Sequence, residues 1–449
     1  MKYRFILPIL YDLLLFMFFG LILMLFPWGG INGIYNSDGV VHINSEGDAL
    51  QLYRNGKPFY IKGASGDSYF GELSNMGANT IRVYDTLNLA SVLDNADKNG
   101  LAVIVDIPLP EYDEKYSEYD DDTKNEARKT KIKSLVRTFK NYPALLIWNL
   151  GNEVRYPITL IPNKFIKTYN DLIDIIHEED PNHLVGTTVQ RRMDIMAISR
   201  HSSKLDIIGY NIFGTIGNLK SNIESLNSIL EKPFPYYISE WGIDGYWETE
   251  QTTWGASIEP TSTKKIEQLR YRYNNFIRNA GDDCQGSLIF YWGQKHECTN
   301  TWFNAYGQLG EKSIMISMLE MLWANKEGNS SKIGLDYMLL DERGAQNSIV
   351  LNPNSLIKAE LKLKETYDDS LKIRWELYHD HCSLESISDD IGNPKKVENL
   401  LTPEHGLSTM LKTPLKEGPY RIYAYLENKD GLVGTCNTPF YVLDSKNEQ

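Results

Sequence analysis

Two glutamates stand out in this 449-residue chain as groups placed for chemistry. Glu153 follows the apolar run Leu145-Leu-Ile-Trp-Asn-Leu-Gly-Asn152, and Glu240 follows Tyr236-Tyr-Ile-Ser239, with Trp241 directly after it. A carboxylate at the end of an apolar strand either caps the strand and meets water or is aimed into a pocket. Either glutamate alone would be ambiguous. As a pair they could divide acid, base and nucleophile work, provided their surroundings push their pKa values apart. The chain is also rich in rings, with 28 Tyr and 9 Trp, which can stack on sugars although most such rings fill cores.

Such carboxyls act together only if the chain brings them to one place. Eight short apolar runs read as strands: 59–63, 80–84, 102–107, 145–150, 184–188, 206–211, 236–240 and 287–292. They are continuous rather than alternating, as parallel strands buried on both faces are. Helical segments fall between them at 91–99, 124–140, 164–179, 223–231 and 265–279, and another follows at 313–323; Phe165, Tyr169, Leu172, Ile173 and Ile176 recur at helical spacing. The pattern predicts an α/β fold, a (β/α)8 TIM barrel over residues 31–330 that includes N-terminal lead-in strands with an Asn55-Gly56 hairpin turn. A doubly wound sheet is the rival, because strand count does not prove closure. In a barrel both glutamates stand at C-terminal strand ends, on strands four and seven, where barrel enzymes carry their chemistry. After a Gly328-Asn-Ser-Ser331 linker, short strands and turns predict a C-terminal immunoglobulin-like β-sandwich over 333–445 with Trp375 in its core.

Residues Phe5–Phe26 are apolar except for Asp12, long enough at about 1.5 Å per helical residue to cross a bilayer. Residues 1–30 are therefore expected to be a membrane anchor, with a cleaved signal as the alternative. Lys2 and Arg4 precede the span and no basic residue follows until Arg54, which predicts an extracytoplasmic body, periplasmic or at the cell surface, or secreted if the segment is cleaved. Net charge is −13, so a nucleic acid partner is not expected. Of the four cysteines, Cys382 and Cys436 both lie in the C-terminal region and could pair in an oxidising compartment. The tract His379-Asp-His-Cys382 reads as surface residues rather than a metal site, and the acidic run Glu111–Asp122 as a solvated lid. Neither metal nor cofactor is expected.

Asn152-Glu153 after strand four and Ser239-Glu240-Trp241 after strand seven resemble the retaining β-glycosidases of the superfamily that includes glycoside hydrolase family 2. Asn55-Gly-Lys-Pro-Phe-Tyr-Ile-Lys-Gly63 and Gly77-Ala-Asn-Thr-Ile-Arg-Val-Tyr84 strengthen the likeness, which extends over about residues 40–325, and are also similar to the β-1,3-glucanosyltransferases of family 72. The jelly roll and immunoglobulin-like domain that precede the barrel in family 2 have no room in this sequence, so an abbreviated relative is expected. The resemblance implies that Glu240 is the nucleophile, Glu153 the acid/base, and Asn152 a partner of the sugar 2-hydroxyl. Arg82 is the candidate cation that keeps Glu240 ionised. The resemblance further implies that Tyr210 donates to the nucleophile and that Trp292 floors the sugar site. Trp241, with Trp247, Trp254 and Trp302, is expected to line subsites.

Two functions stay open at this point. One is a retaining β-glycoside hydrolase or transglycosidase acting on an extracytoplasmic polysaccharide. The other is a non-catalytic polysaccharide-binding or scaffold protein of a cell-surface polysaccharide system, on the same fold.

Overall fold

A computed structural model describes residues 31, 39–46, 49–230, 233–326, 333–364, 371–382, 394–403 and 405–443. The apolar segment Phe5–Phe26 and the 328–331 linker lie outside the described residues, and among those described no helix is long and apolar enough to cross a membrane. The chain enters through an antiparallel sheet of β1 (Val41–Glu46), β2 (Ala49–Arg54) and β3 (Lys57–Pro58), in the order β1-β2-β3. Asn55 and Gly56 both take positive φ in the turn between β2 and β3, as Asn-Gly hairpins do.

Eight strands then close a barrel: β4 (Ile61–Gly66), β5 (Thr80–Val83), β6 (Ala102–Ile107), β7 (Leu145–Asn152), β8 (Leu184–Val189), β9 (Ile207–Asn211), β10 (Tyr236–Trp241) and β11 (Cys284–Trp292). The ring runs β10-β11-β4-β5-β6-β7-β8-β9, so the doubly wound alternative is excluded. Every predicted run is a strand, but β4 begins at Ile61 rather than Phe59 and β11 at Cys284 rather than Ser287. Strands β6, β8 and β10 are buried at every position, so they are sealed by the barrel core on one side and by helices on the other. Two helices lacked a readable pattern. Phe70–Asn75 is only six residues long, and Arg192–His201 buries Asp194 and Ser199 among its apolar residues. The second half of the acidic run starts a helix rather than forming a free lid: Asp121 accepts from the N–H groups of Thr123 and Lys124, and Tyr119 is buried beneath Arg128.

The remaining strands are β12 (Lys312–Ser313), β13 (Leu335–Leu340), β14 (Val350–Leu351), β15 (Leu356–Leu363), β16 (Lys372–His379), β17 (Leu401–Thr402), β18 (Ser408–Lys412), β19 (Gly418–Glu427) and β20 (Leu432–Val442). They form two sheets, β12-β20-β19-β16 with β14 on β20, and β13-β15-β18-β17. One apolar core takes Leu335, Leu340 and Leu411 from one sheet and Trp375, Ile422 and Phe440 from the other. The indole N–H of Trp375 is satisfied by the carbonyl of Gly406 at 2.8 Å.

Polar groups join these sheets to the barrel. The buried Lys265 ammonium donates to Glu259 and to the carbonyls of Thr301 (2.6 Å) and Trp302 (2.9 Å). Glu259 also accepts from Thr299 and from Asn437 of β20. Arg421 of β19, with no exposed surface, donates to Asp380 and to the carbonyl of Ser257 on the barrel side. The disulfide differs from the expected pairing: Cys382 is bonded to Cys298, whereas Cys436 is a buried free thiol. The reason is placement. Cys382 follows β16 and lies against the loop after β11, while Cys436 sits within the β19–β20 ladder. Nor is His379–Cys382 a surface tract, since Asp380 and Cys382 are both buried at the junction.

The seam where β4 meets β5 tolerates no side chain at Gly63, because a Cβ there would stand 1.7 Å from the Thr80 carbonyl oxygen. Gly100 has a positive φ but open space around it. Gly63→Ala should therefore lose at least about 3 kcal/mol or prevent folding, and Gly100→Ala only about 1 kcal/mol. Urea midpoints of the two variants check this, with comparable losses counting against the close approach at the seam.

Candidate active site

Arg82 projects from β5 into the barrel interior with no surface exposed to water. A buried guanidinium is tolerable only if acceptors surround it. Its Nε and Nη2 hold both oxygens of Asp106 at 3.0 and 2.7 Å, a bidentate ion pair from β6. The same Nη2 reaches Oδ1 of Asn152 at 2.7 Å, and Nη1 reaches Oε1 of Glu240 at 3.0 Å. Asp106 is steadied by Asn149 Nδ2 at 2.8 Å. With a longer contact from Nη1 to Oδ1 of Asn211 at 3.5 Å, one cation ties together five strands, and the expected contact between Arg82 and Glu240 is present.

Glu153 and Glu240 line one cavity of about 610 Å³ at the C-terminal end of the barrel, together with Asn152 and Tyr210. Adjacent residues of a regular strand face opposite ways, so Asn152 and Glu153 can share a cavity only if the backbone turns between them. It does so: Glu153 has φ 53°, in the left-handed region, and its N–H is held by the Thr188 carbonyl at 2.9 Å. Asn211 Nδ2 then donates to Glu153 Oε1 at 2.6 Å.

Strand β10 makes no such turn, which corrects the expectation for Trp241. Glu240 faces the cavity, so Trp241 faces outward, where it is buried 5.9 Å from the ring of Tyr273 on helix Ser262–Asn275. Trp292 is likewise absent from the cavity wall. A bulge sets both Phe290 and Trp292 against the consecutive β4 residues Ser65 and Gly66, which reverses the facing, and Trp292 packs edge-on to Tyr306. Phe290 is the ring of this strand that lines the cavity. Tyr210 lines it too, near Arg192 and Asp194, but the hydroxyl that donates to Glu240 is that of Tyr84, at 2.8 Å. Of the loop tryptophans, Trp247 lines the cavity and is 45% exposed; Trp302 is fully buried, donating to the Asp244 carbonyl, and Trp254 lies beside Tyr441.

Sequence patterns missed Tyr84, Asp106, Asn211, Phe290, Lys295 and Glu297. Four of these had a readable cue. Tyr84 lies two residues beyond Arg82, and Asp106 is the charge inside the apolar run Ala102–Ile107. Asn211 ends β9, and Phe290 sits in β11 just before the bulge. Lys295 and Glu297, paired at 2.9 Å, come from the loop after β11 and gave no signal.

Burial pushes Glu240 up to about 7; Arg82 and the Tyr84 hydroxyl pull it down, while the charges of Glu153 and Glu297 raise it. Glu153 is also raised, by burial first and then by Glu297 and Asp194, against the pull of Asn211 and Arg82. The direct contacts of Arg82 and Tyr84 fall on Glu240 and favour the negative charge there against the effect of burial. A carboxyl raised in this way gains its proton as pH falls through its pKa, so a reaction that needs ionised Glu240 is lost on the acid side. Tyr84→Phe removes a hydrogen bond to a charged group, worth about 1.5 kcal/mol, and should move the acid limb of kcat/KM to higher pH by about one unit. A pH profile with an unmoved limb would remove Tyr84 from the site's electrostatics.

Residues 68–249 match the family model described as glycosyl hydrolases family 2, TIM barrel domain. No curated protein matches the chain. Among solved structures, the Bifidobacterium dentium β-glucuronidase complexed with coumarin-3-O-glucuronide is similar at TM-score 0.50 and 17% identity, covering 65% of this chain and 50% of that one. The Bacteroides uniformis β-glucuronidase gives a TM-score of 0.49 and 15% identity over 90% and 48% of the two chains. The endo-β-1,4-mannanase from Thermotoga petrophila gives 0.41 and 12% over 87% and 99%. This chain thus spans about half the length of the two glucuronidases. At 17% identity, the likeness to the Bifidobacterium dentium structure shows the fold alone. The stretch from residue 68 to 249, which carries Arg82, Glu153 and Glu240, is therefore similar to the TIM barrel domain of the family 2 glycosyl hydrolases.

Proposed function

We propose that the protein is a retaining β-glycoside hydrolase that acts on an extracytoplasmic polysaccharide. The observation that carries this reading is the sharing of one cavity by two carboxyl groups, Glu240 buried and Glu153 half-buried, only one of which touches a cation and a phenol. Glu240 attacks the anomeric carbon as the bond to the leaving oxygen breaks, and Glu153 gives its proton to that oxygen. Water then attacks the same carbon and gives a proton to Glu153, and Glu240 leaves as carboxylate. A sugar hydroxyl in place of water makes the same second step a transfer, in keeping with the likeness of Gly77–Tyr84 to the family 72 enzymes. Asn152, anchored to Arg82, is placed to meet the 2-hydroxyl, and Phe290 offers the ring face beneath the sugar. The two C-terminal sheets are read as an immunoglobulin-like sandwich.

Mutation separates the two roles. Glu240→Gln should abolish turnover with the fold intact. Glu153→Ala should slow substrates with poor leaving groups by about 10²–10⁴-fold but spare activated aryl glycosides, and added azide should restore rate as the β-glycosyl azide. An α-configured azide product, or equal losses on both substrate types, would contradict the assignment.

For location, Lys2 and Arg4 ahead of Phe5–Phe26 favour a body tethered outside the cytoplasm. The Cys298–Cys382 disulfide supports an oxidising compartment. A reporter fused after Gln449 should be active only if it functions outside the cytoplasm; activity from a reporter that needs the cytoplasm would overturn the placement.

A further inference from the structure

Beside the catalytic cavity lies a second one of about 390 Å³, enclosed by the loops after β4 and β5 and the end of β11. Tyr84 lines both cavities, and the consecutive residues Phe290 and Tyr291 face one each. The Tyr84 and Tyr291 rings lie 6.4 Å apart at 30°, giving the second cavity an aromatic wall that continues from the site itself. Leu87, 74% exposed, adds an apolar edge. Asp67 and Asp85 supply exposed carboxylates, and neither Lys, Arg nor His lines this cavity. One Asp85 oxygen accepts the Leu87 N–H at 2.7 Å, which leaves the other open. Ring faces together with carboxylate acceptors suit an uncharged sugar, whose C–H face packs on aromatics and whose hydroxyls donate to ionised oxygens. A sugar carrying its own carboxylate would meet two like charges with no counter-ion.

The position of this cavity decides which sugar it would hold. Strands β4 and β8 stand opposite each other in the ring. Glu153 leans toward the far side, bonded to Thr188 of β8 and Asn211 of β9, so the leaving group, which must reach Glu153, departs on that side. The second cavity lies on the near side, behind the hydroxyl that meets Glu240. We propose that this cavity is a second sugar subsite on the glycone side, and that the enzyme therefore cuts neutral β-linked chains internally instead of trimming single terminal residues. This rests on the glycosidase reading above, which it deepens.

The test uses the full chain. Aryl β-glycosides of glucose, mannose and galactose identify the accepted sugar, and β-linked oligosaccharides of that sugar, two to five units long and labelled at the reducing end, are then digested. Filling a second subsite should raise kcat/KM by at least about tenfold over the aryl monoglycoside, the equivalent of about 1.4 kcal/mol. The first product from the non-reducing end should be a disaccharide or longer. In an Asp67→Ala/Asp85→Ala variant the ratio of oligosaccharide to monoglycoside kcat/KM should fall several-fold. Release of single sugars only, a kcat/KM that does not grow with chain length, or a ratio untouched in the double variant would overturn the subsite while leaving the glycosidase reading standing. No turnover of any glycoside by the parent chain would instead remove that reading, and the subsite with it.

Discussion

A guanidinium sealed from water fixes whatever surrounds it, because each N–H turned inward must find an acceptor or cost desolvation. Arg82 meets that demand with side chains from four other strands: Asp106 on β6, Asn152 on β7, Asn211 on β9 and Glu240 on β10. The bidentate hold on Asp106 sets the plane of the fork, and that plane decides where Nη1 and Nη2 can point. Removing one partner from such a cluster leaves an uncompensated charge, typically a loss of about 3–5 kcal/mol. Core stability and the placement of Glu240 are thus the same physical fact here.

The barrel was legible because buried parallel strands are written as unbroken apolar runs, and Val-Ile-Val in β6 or Leu-Leu-Ile-Trp in β7 can hardly be anything else. The price of that clarity is silence about facing, since a strand buried on both sides carries no alternation. Both glutamates, Arg82 and Asn152 were found from their place at strand ends, whereas Trp241 and Trp292 were misplaced by one facing each. In β10, whose register shifts just before Glu240, Trp241 is sent outward against Tyr273, and in β11 a bulge sends Trp292 away while Phe290 stays. Tyr84 was visible as a residue but not as a partner, because the contact of β5 with the end of β10 crosses the barrel and leaves no local trace.

The two C-terminal sheets reach the site without lining its cavity. The loop after β11 delivers Lys295 and Glu297 to the cavity and within a few residues is held by the Cys298–Cys382 bond and by Thr299 and Thr301 on Glu259. Glu259 is in turn bonded to Asn437 of β20. Burial raises both carboxyls first, and Glu297, the charge that adds to both, is carried on a loop whose far end is set by the second module, so the barrel and the sheets act as one body at this face.

Glu153 combines two conditions that a chain selected for stability alone would shed. Its backbone lies in the left-handed region, a strain of order 1 kcal/mol for a residue with a Cβ, and its carboxyl is half-buried against that group's preference for water. Asparagine or glycine would relieve the first condition and remove the second, so the folded chain would be more robust without its acid. A position that resists its own thermodynamic optimum marks a trade of durability for reactivity. A library sorted for thermal survival alone would discard Glu153 early, and on the glycosidase reading proposed above one sorted for turnover would restore it.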